Sequence, residues 1–187
     1  MAGNARFVAG ESVRAGPDRR ALLKLAESQR PFATILGCSD SRVPPELLFD
    51  CGFGDLFIVR VAGNIVSAGV LGSLQYAGSH LRTPLFLVLG HEGCGAVQAA
   101  LARRLRGVKE RARIEVLLRS MLPGLAGVEG ALPRAVRFRA AVEANVRWSM
   151  RQVAETPEGR RVLRERSAML VGAVYELHTG RVRILDA

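Results

Sequence analysis

Aromatic side chains are scarce in this sequence, at 5% of 187 residues, and cysteine is scarcer still, with three. The first shortage leaves few stacking platforms for unpaired bases, which counts against a nucleic-acid groove. The second is an odd number with no dense framework, which argues against a disulfide-stapled secreted module and for a reducing cytoplasm. Long apolar runs are missing too. The longest, near Leu85–Leu89 and Met169–Val174, are strand-sized and well short of a membrane span. The opening MAGNARFVAGESVR has no apolar signal-peptide segment. Together these shortages predict a cytoplasmic protein that takes neither nucleic acid nor membrane as a partner.

Acidic residues are outnumbered, 17 against 27 Lys plus Arg, for a formal net charge of +10. An excess of this size is one mark of a nucleic-acid footprint. Here the cations are mostly arginines spread along the whole chain. The densest stretch, Arg103–Arg113, interleaves Glu110 and apolar residues at helical spacing, the pattern of a solvated helix face. Apolar residues at 49% and charged residues at 24% are ordinary for a globular protein, and the length fits one domain over 1–187.

What is present is an alternation of strand and helix signals. Pro17–Glu27 reads as a helix with proline at its start, and Leu22, Leu23, Leu25 and Ala26 lie largely on one side. Phe32–Leu36, Leu56–Val61 and Leu85–Gly90 are short apolar runs closed by glycine-containing turns, the signature of buried strands. Apolar residues at helical spacing cover Ser67–Leu81, Gly95–Arg106 and Ala135–Glu155, and Met121–Pro133 is a long Gly/Pro-rich connection. The tail, Met169–Leu177 and Val182–Leu185, reads as two strands joined by the tight turn His178-Thr-Gly180. Strands that alternate with helices and lack a polar face predict an α/β fold. Its sheet is mainly parallel, with about four parallel strands plus a C-terminal antiparallel strand, flanked by helices.

In such folds, sites form beyond the carboxyl ends of the strands. Two such ends carry GCSDSRVP, from Gly37 to Pro44, and GHEGCG, from Gly90 to Gly95. On a helical first turn His91 and Cys94 share a face, so an imidazole and a thiolate can meet one ion. Cys38 adds a second thiolate. Two sulfurs and one nitrogen make a tetrahedral zinc site with a position left over, the mark of a catalytic rather than a closed structural zinc. Each residue taken alone also fits a plainer role: an inert buried thiol, a ring packed on the sheet, or an Asp40–Arg42 ion pair that only ties a loop. Two thiolates cancel the formal charge of Zn²⁺, so a water held there is less acidic than on a three-histidine site. A carboxylate that accepts the water's proton in a hydrogen bond orients the attacking lone pair, and a guanidinium holds that carboxylate ionised through two parallel bonds. If Arg42 releases Asp40, the carboxylate can take the vacant zinc position as a fourth ligand and close the site.

GCSDSRVP, Gly54-Asp-Leu-Phe-Ile-Val-Arg60 with Ala62-Gly63-Asn64, Leu74-Gln-Tyr-Ala77, Gly90-His-Glu-Gly-Cys-Gly-Ala96 and the closing Val171–Gly180 segment resemble, in this order, the β-class carbonic anhydrases. The likeness covers nearly the whole chain. It implies a zinc lyase with one Zn²⁺ per chain, hydrating CO2 reversibly to bicarbonate and a proton through zinc-bound hydroxide. It implies Cys38, His91 and Cys94 as zinc ligands, Asp40 and Arg42 as the catalytic pair, and Gln29, Phe57 and Tyr76 as the lining of the CO2 pocket. His80 falls at the position of a candidate proton shuttle. The resemblance also implies a homodimer or tetramer with sites at a dimer interface, and an N-terminal helical arm over about 1–30 packed on a partner subunit. Cys51 and His178 match no ligand position and read as structural or surface residues. Ile35 stands where relatives with a second, inhibitory bicarbonate site carry tryptophan, which argues against that mode of inhibition here. A hydrolase of carbonyl sulfide or carbon disulfide on the same scaffold, and a non-catalytic zinc-binding homologue, are the competing expectations.

Overall fold

The computed structural model describes residues 1–13, 16 and 18–186. Helix α1 (Ala2–Ala9) and helix α2 (Arg19–Glu27) precede the first strand, β1 (Ala33–Gly37). The expected proline start of α2, at Pro17, lies outside the described residues. Instead Asp18 caps the helix, its carboxylate accepting from the Ala21 amide at 2.7 Å. Strands β2 (Leu56–Arg60), β3 (Leu85–His91) and β4 (Met169–Tyr175) join β1 in a parallel sheet, and β5 (Val182–Ile184) pairs antiparallel with β4. Four parallel strands and a C-terminal antiparallel one are what the apolar runs and the turn-linked tail lead one to expect, and the order is β2-β1-β3-β4-β5. Every residue of β1 is buried, so this central strand has no polar face to show in its sequence.

Side chains alternate between two cores, one on each side of the sheet. Leu36 and Val88 point into the larger core, beneath α5 (Gly95–Arg106), α6 (Ala112–Met121) and α7 (Arg134–Ala154). Ile35, Leu87 and Leu89 point into the smaller one, closed by the short α3 (Pro45–Leu48). Helix α1 docks on this second side. Asn4 is buried, donates to the carbonyls of Leu48 and Gly180, and accepts from the Val182 amide, while Arg6 pairs with Asp50 at 2.5 Å. Helix α2 differs: it buries none of its residues, and Leu22 and Leu23 stay 48% and 63% exposed. Among the described residues, no helix is long and apolar enough to cross a membrane.

Three details depart from the sequence reading. The helix expected over Ser67–Leu81 is α4 (Ala68–Tyr76) followed by a wider π turn, Ala77–Leu81, that ends on Arg82 in the left-handed region at φ 52°. Helices α6 and α8 (Pro157–Arg164) stand where the sequence reading places no element, both short and arginine-containing; α8 starts where the Thr156 hydroxyl accepts from Gly159 N. The strand expected to run to Leu177 stops at Tyr175, because Glu176 to Gly180 close a tight turn in which Gly180 N donates to the Glu176 carbonyl.

Register is what builds the site. Gly37 stands level with Arg60 on one side and Leu89 on the other. Strand β3 continues two residues past that rung, which carries His91 to the level of the turn that follows β1.

Candidate functional site

The turn after β1 presents Cys38, the last residue of β3 is His91, and Cys94 is the cap before α5. The His91–Cys94 pair therefore sits on a strand end and a turn rather than on the helical first turn expected from spacing. All three are buried, and one ligand atom from each lies within 4.8 Å of the others. Zn–S bonds of about 2.3 Å and Zn–N bonds of about 2.0 Å fit a single ion among them.

The imidazole is oriented for this task. His91 Nδ1 lies 2.7 Å from the Glu92 carbonyl, which can only accept, so Nδ1 carries the proton and Nε2 the lone pair. That Nε2 is buried and has no hydrogen-bond partner. A buried ring nitrogen without a partner costs stability unless something takes the lone pair, and a metal ion does so. The donor set is also the right one, two soft sulfurs and an imidazole, so the residues present fit zinc.

The sulfurs are held by backbone amides. Gly63 N donates to Cys38 Sγ at 3.3 Å, and the amides of Ala96 and Val97, at the start of α5, support Cys94. Gly63 sits in the left-handed region at φ 71°, and a Cβ there would stand 3.1 Å from the Ala96 methyl, so glycine lets this turn close on the sulfur. The two thiols share one charge. A hydrogen bond from Cys94 favours the Cys38 thiolate, burial opposes it, and the Gly63 amide adds support. The same contact, with burial, pushes the Cys94 thiol up. A divalent cation relieves this competition by accepting both thiolates.

Asp40 and Arg42 meet in the planar two-bond geometry. Arg42 Nε donates to Oδ1 at 2.8 Å and Nη2 to Oδ2 at 2.7 Å, and the Arg42 amide also donates to Oδ1. The guanidinium side-chain bonds, with help from that amide, hold the Asp40 carboxyl well below the usual carboxylate range. Oδ2 lies 3.9 Å from His91 Nε2, next to the metal position, and Arg42 is steadied by the Gly93 carbonyl at 3.2 Å.

Sequence reasoning missed the bracing behind these groups. Arg60, at the end of β2, donates from Nε to the Cys38 carbonyl at 2.8 Å and from Nη2 to the Asp40 carbonyl at 2.6 Å. From α7, more than eighty residues downstream of the turn, Asn145 Nδ2 donates to the Gly63 carbonyl at 2.8 Å and Ser149 Oγ to the Asn64 carbonyl at 2.9 Å. The Ala62-Gly63-Asn64 turn was visible as a motif. Nothing in the sequence of α7 marks its polar residues as supports for it.

The other residues singled out in the sequence do not join this centre within the chain. Phe57 pairs with Thr34, three rungs before the Gly37–Arg60 level, which is about 10 Å along the strand. Tyr76 lies 6.1 Å from Phe57 and 4.9 Å from His80, ring to ring, so these three form a group of their own at the β2 edge. Gln29 is exposed between α2 and β1.

The family model described as carbonic anhydrase matches residues 33–182. A carbonic anhydrase of Mycolicibacterium smegmatis is 40% identical over 185 residues, covering 97% of this chain and 88% of the relative. Among solved structures, a Coccomyxa β-carbonic anhydrase in complex with acetazolamide superposes with a TM-score of 0.78 at 29% identity, over 87% of this chain and 75% of the other. A tetrameric β-carbonic anhydrase of Sordaria macrospora shares the fold, with a TM-score of 0.81 at 22% identity, over 100% of this chain and 94% of that one. With its ligand set on two strand ends, its sheet order and these likenesses together, the chain belongs to the β-class carbonic anhydrase family, which uses zinc.

Proposed function

We propose that this carbonic anhydrase interconverts CO2 and bicarbonate at the Cys38–His91–Cys94 centre, with Asp40 orienting the attacking water and Arg42 holding Asp40 in place. Zinc held by the three ligands supplies the acidity that lets a water attack CO2 near neutral pH. The observation that carries the reading is the doubly bonded Asp40–Arg42 pair beside a buried, partnerless His91 Nε2. A carboxylate kept ionised accepts a hydrogen bond from the water and so turns the water's lone pair toward the substrate. With Arg42 released, the same carboxylate swings onto the solvent position and closes the site. Activity is expected to rise above about pH 8 as the attacking water ionises.

Gln29, Phe57 and Tyr76 line the CO2 pocket of a second copy in this reading, with His80 beside Tyr76 as a candidate exit for protons from that pocket. Three features support an assembly of this kind. The aromatic group stands apart from its own chain's metal centre, α2 leaves Leu22 and Leu23 uncovered, and Phe53 and Tyr76 remain 68% and 47% exposed. The dimer is the smallest such assembly.

Arg42→Lys tests the pair directly. Lysine keeps the charge but cannot make two parallel bonds. The expected result is a fall in kcat/KM of about tenfold or more with zinc content unchanged. Full activity in this variant would remove Asp40–Arg42 from the mechanism.

A further inference from the structure

Hydration of CO2 releases one proton per turnover, and that proton has to leave the site. Among the described residues, the histidine outside the ligand set whose side chain contacts the His91–Cys94 turn of this chain is His178, in the turn between β4 and β5. The pairing of β3 with β4 carries it there. His91 is level with Tyr175, and the Glu92 amide donates to the Tyr175 carbonyl at 2.9 Å. Leu177 and the Arg42 guanidinium flank one glycine: a Cβ on Gly93 would meet Leu177 Cδ1 at 3.3 Å and Arg42 Nη1 at 3.7 Å.

Glu92 links the rim to the ligand ring. Its carbonyl fixes His91 Nδ1, and its carboxylate reaches the other way, placing Oε2 3.2 Å from His178 Nδ1. An ionised carboxylate accepts, so the neutral His178 ring carries its proton on Nδ1 and keeps its lone pair on Nε2. The side chain is 90% exposed, which leaves Nε2 facing solvent. The charged groups around it are Glu92, Arg42 across Gly93, and Glu176 and Arg181 of the same turn.

We propose that His178, held in one tautomer by Glu92, relays the proton of the hydration reaction from the site to buffer. The proton passes through solvent to Nε2, turning the neutral ring into the imidazolium. The ring then gives the proton on Nε2 to buffer and returns to its Nδ1–H form. No electrons move, no bond other than N–H changes, and dehydration runs the same steps backwards. Glu92 is a positioning residue, selecting the tautomer and stabilising the cation. His80, in the separate group with Tyr76, reaches this centre only from a second copy of the chain, whereas His178 is tied to the His91–Cys94 turn of its own chain. This relay rests on the metal-centre reading above.

Oxygen-18 exchange between CO2 and water on the zinc-loaded enzyme separates the two. It reads interconversion of CO2 and bicarbonate apart from the proton-dependent release of labelled water. In His178→Ala, water release is expected to fall about tenfold in weakly buffering medium while interconversion stays within about twofold, and added imidazole restores release. Unchanged release, failure of imidazole to restore it, or a parallel loss of interconversion would each overturn the relay. Absent interconversion in the unmodified enzyme would instead overturn the metal-centre reading. Nitrogen-15 NMR of the histidine rings, three in this chain, gives a readout independent of turnover. His178 should show the Nδ1–H tautomer, lost in Glu92→Ala; a majority of Nε2–H in the unmodified protein contradicts the proposal.

Discussion

Replacing Asn145 by alanine isolates the support that α7 lends to the metal centre. Asn145 is buried, and its amide donates to the Gly63 carbonyl at 2.8 Å. Gly63 in turn donates its own amide to Cys38 Sγ. The substitution leaves the buried Gly63 carbonyl without its donor, which costs about 1–3 kcal/mol. Taking about 2 kcal/mol, and about 2–4 °C per kcal/mol for a chain of this length, the melting temperature should drop by about 4–8 °C. The turn that loosens is the one that positions a ligand sulfur, so zinc affinity should weaken about tenfold or more, as for the loss of other outer supports of a metal ligand. Calorimetry at one fixed protein concentration measures the first effect, and competition with a chromophoric zinc chelator measures the second. Ser149→Ala, acting on the neighbouring Asn64 carbonyl, should resemble it, and the double variant should lose less than the sum because both side chains hold one turn. A lowered melting temperature with zinc affinity unchanged would refute the connection from α7 through Gly63 to Cys38.

Zinc binding near pH 7 should release about one proton per chain rather than two, because the Cys38 thiolate already forms at the expense of Cys94; calorimetric titration in buffers of different ionisation enthalpy counts it, and a release of two contradicts the shared-charge picture. The Glu115 carboxyl is held below its ordinary value, first by the Glu110 amide and then by Arg103. Its contribution is therefore complete above the unfolded value and disappears as pH falls through the lower folded one. The difference in melting temperature between Glu115→Gln and the unmodified protein should stay level from about pH 8 to 5 and close below about pH 4. A difference that widens in acid reverses the assigned sign. A Cβ on Gly90 would stand 2.5 Å from Val146 Cγ2, so Gly90→Ala should destabilise by about 1–3 kcal/mol in urea unfolding. Val146→Ala added to it should recover part of that loss; no recovery would show that the strain lies elsewhere.

The parts of this protein that were legible in its sequence share a physical reason: they are locally encoded. β1, β2 and β3 are apolar runs with glycine or a polar turn at their ends, and the ligand residues follow within a few positions of those ends, where parallel strands must bring them together. Asp40 and Arg42 are two residues apart, so their pairing needed only a turn. What stayed hidden depends on long-range placement. Arg60 reads in the sequence as one residue inside the strand Leu56–Val61, and its role in holding the Cys38 and Asp40 carbonyls appears only once β2 lies beside β1. Asn145 and Ser149 are two polar residues on a long amphipathic helix, indistinguishable by spacing from solvated ones until α7 covers the Gly63 turn. Helix α8 was hidden for a different reason: it is eight residues long, arginine-rich and buries no side chain, so its one-sided apolar residues are too few to stand out from a solvated stretch.

Bound zinc and CO2 hydration, measured on one purified sample of the unmodified protein and on Cys38→Ser, test the central assignment most directly. One zinc per chain with rapid hydration, and loss of both in the variant, is the predicted result. Rapid hydration by protein carrying no zinc, or by the variant at full rate, would contradict it.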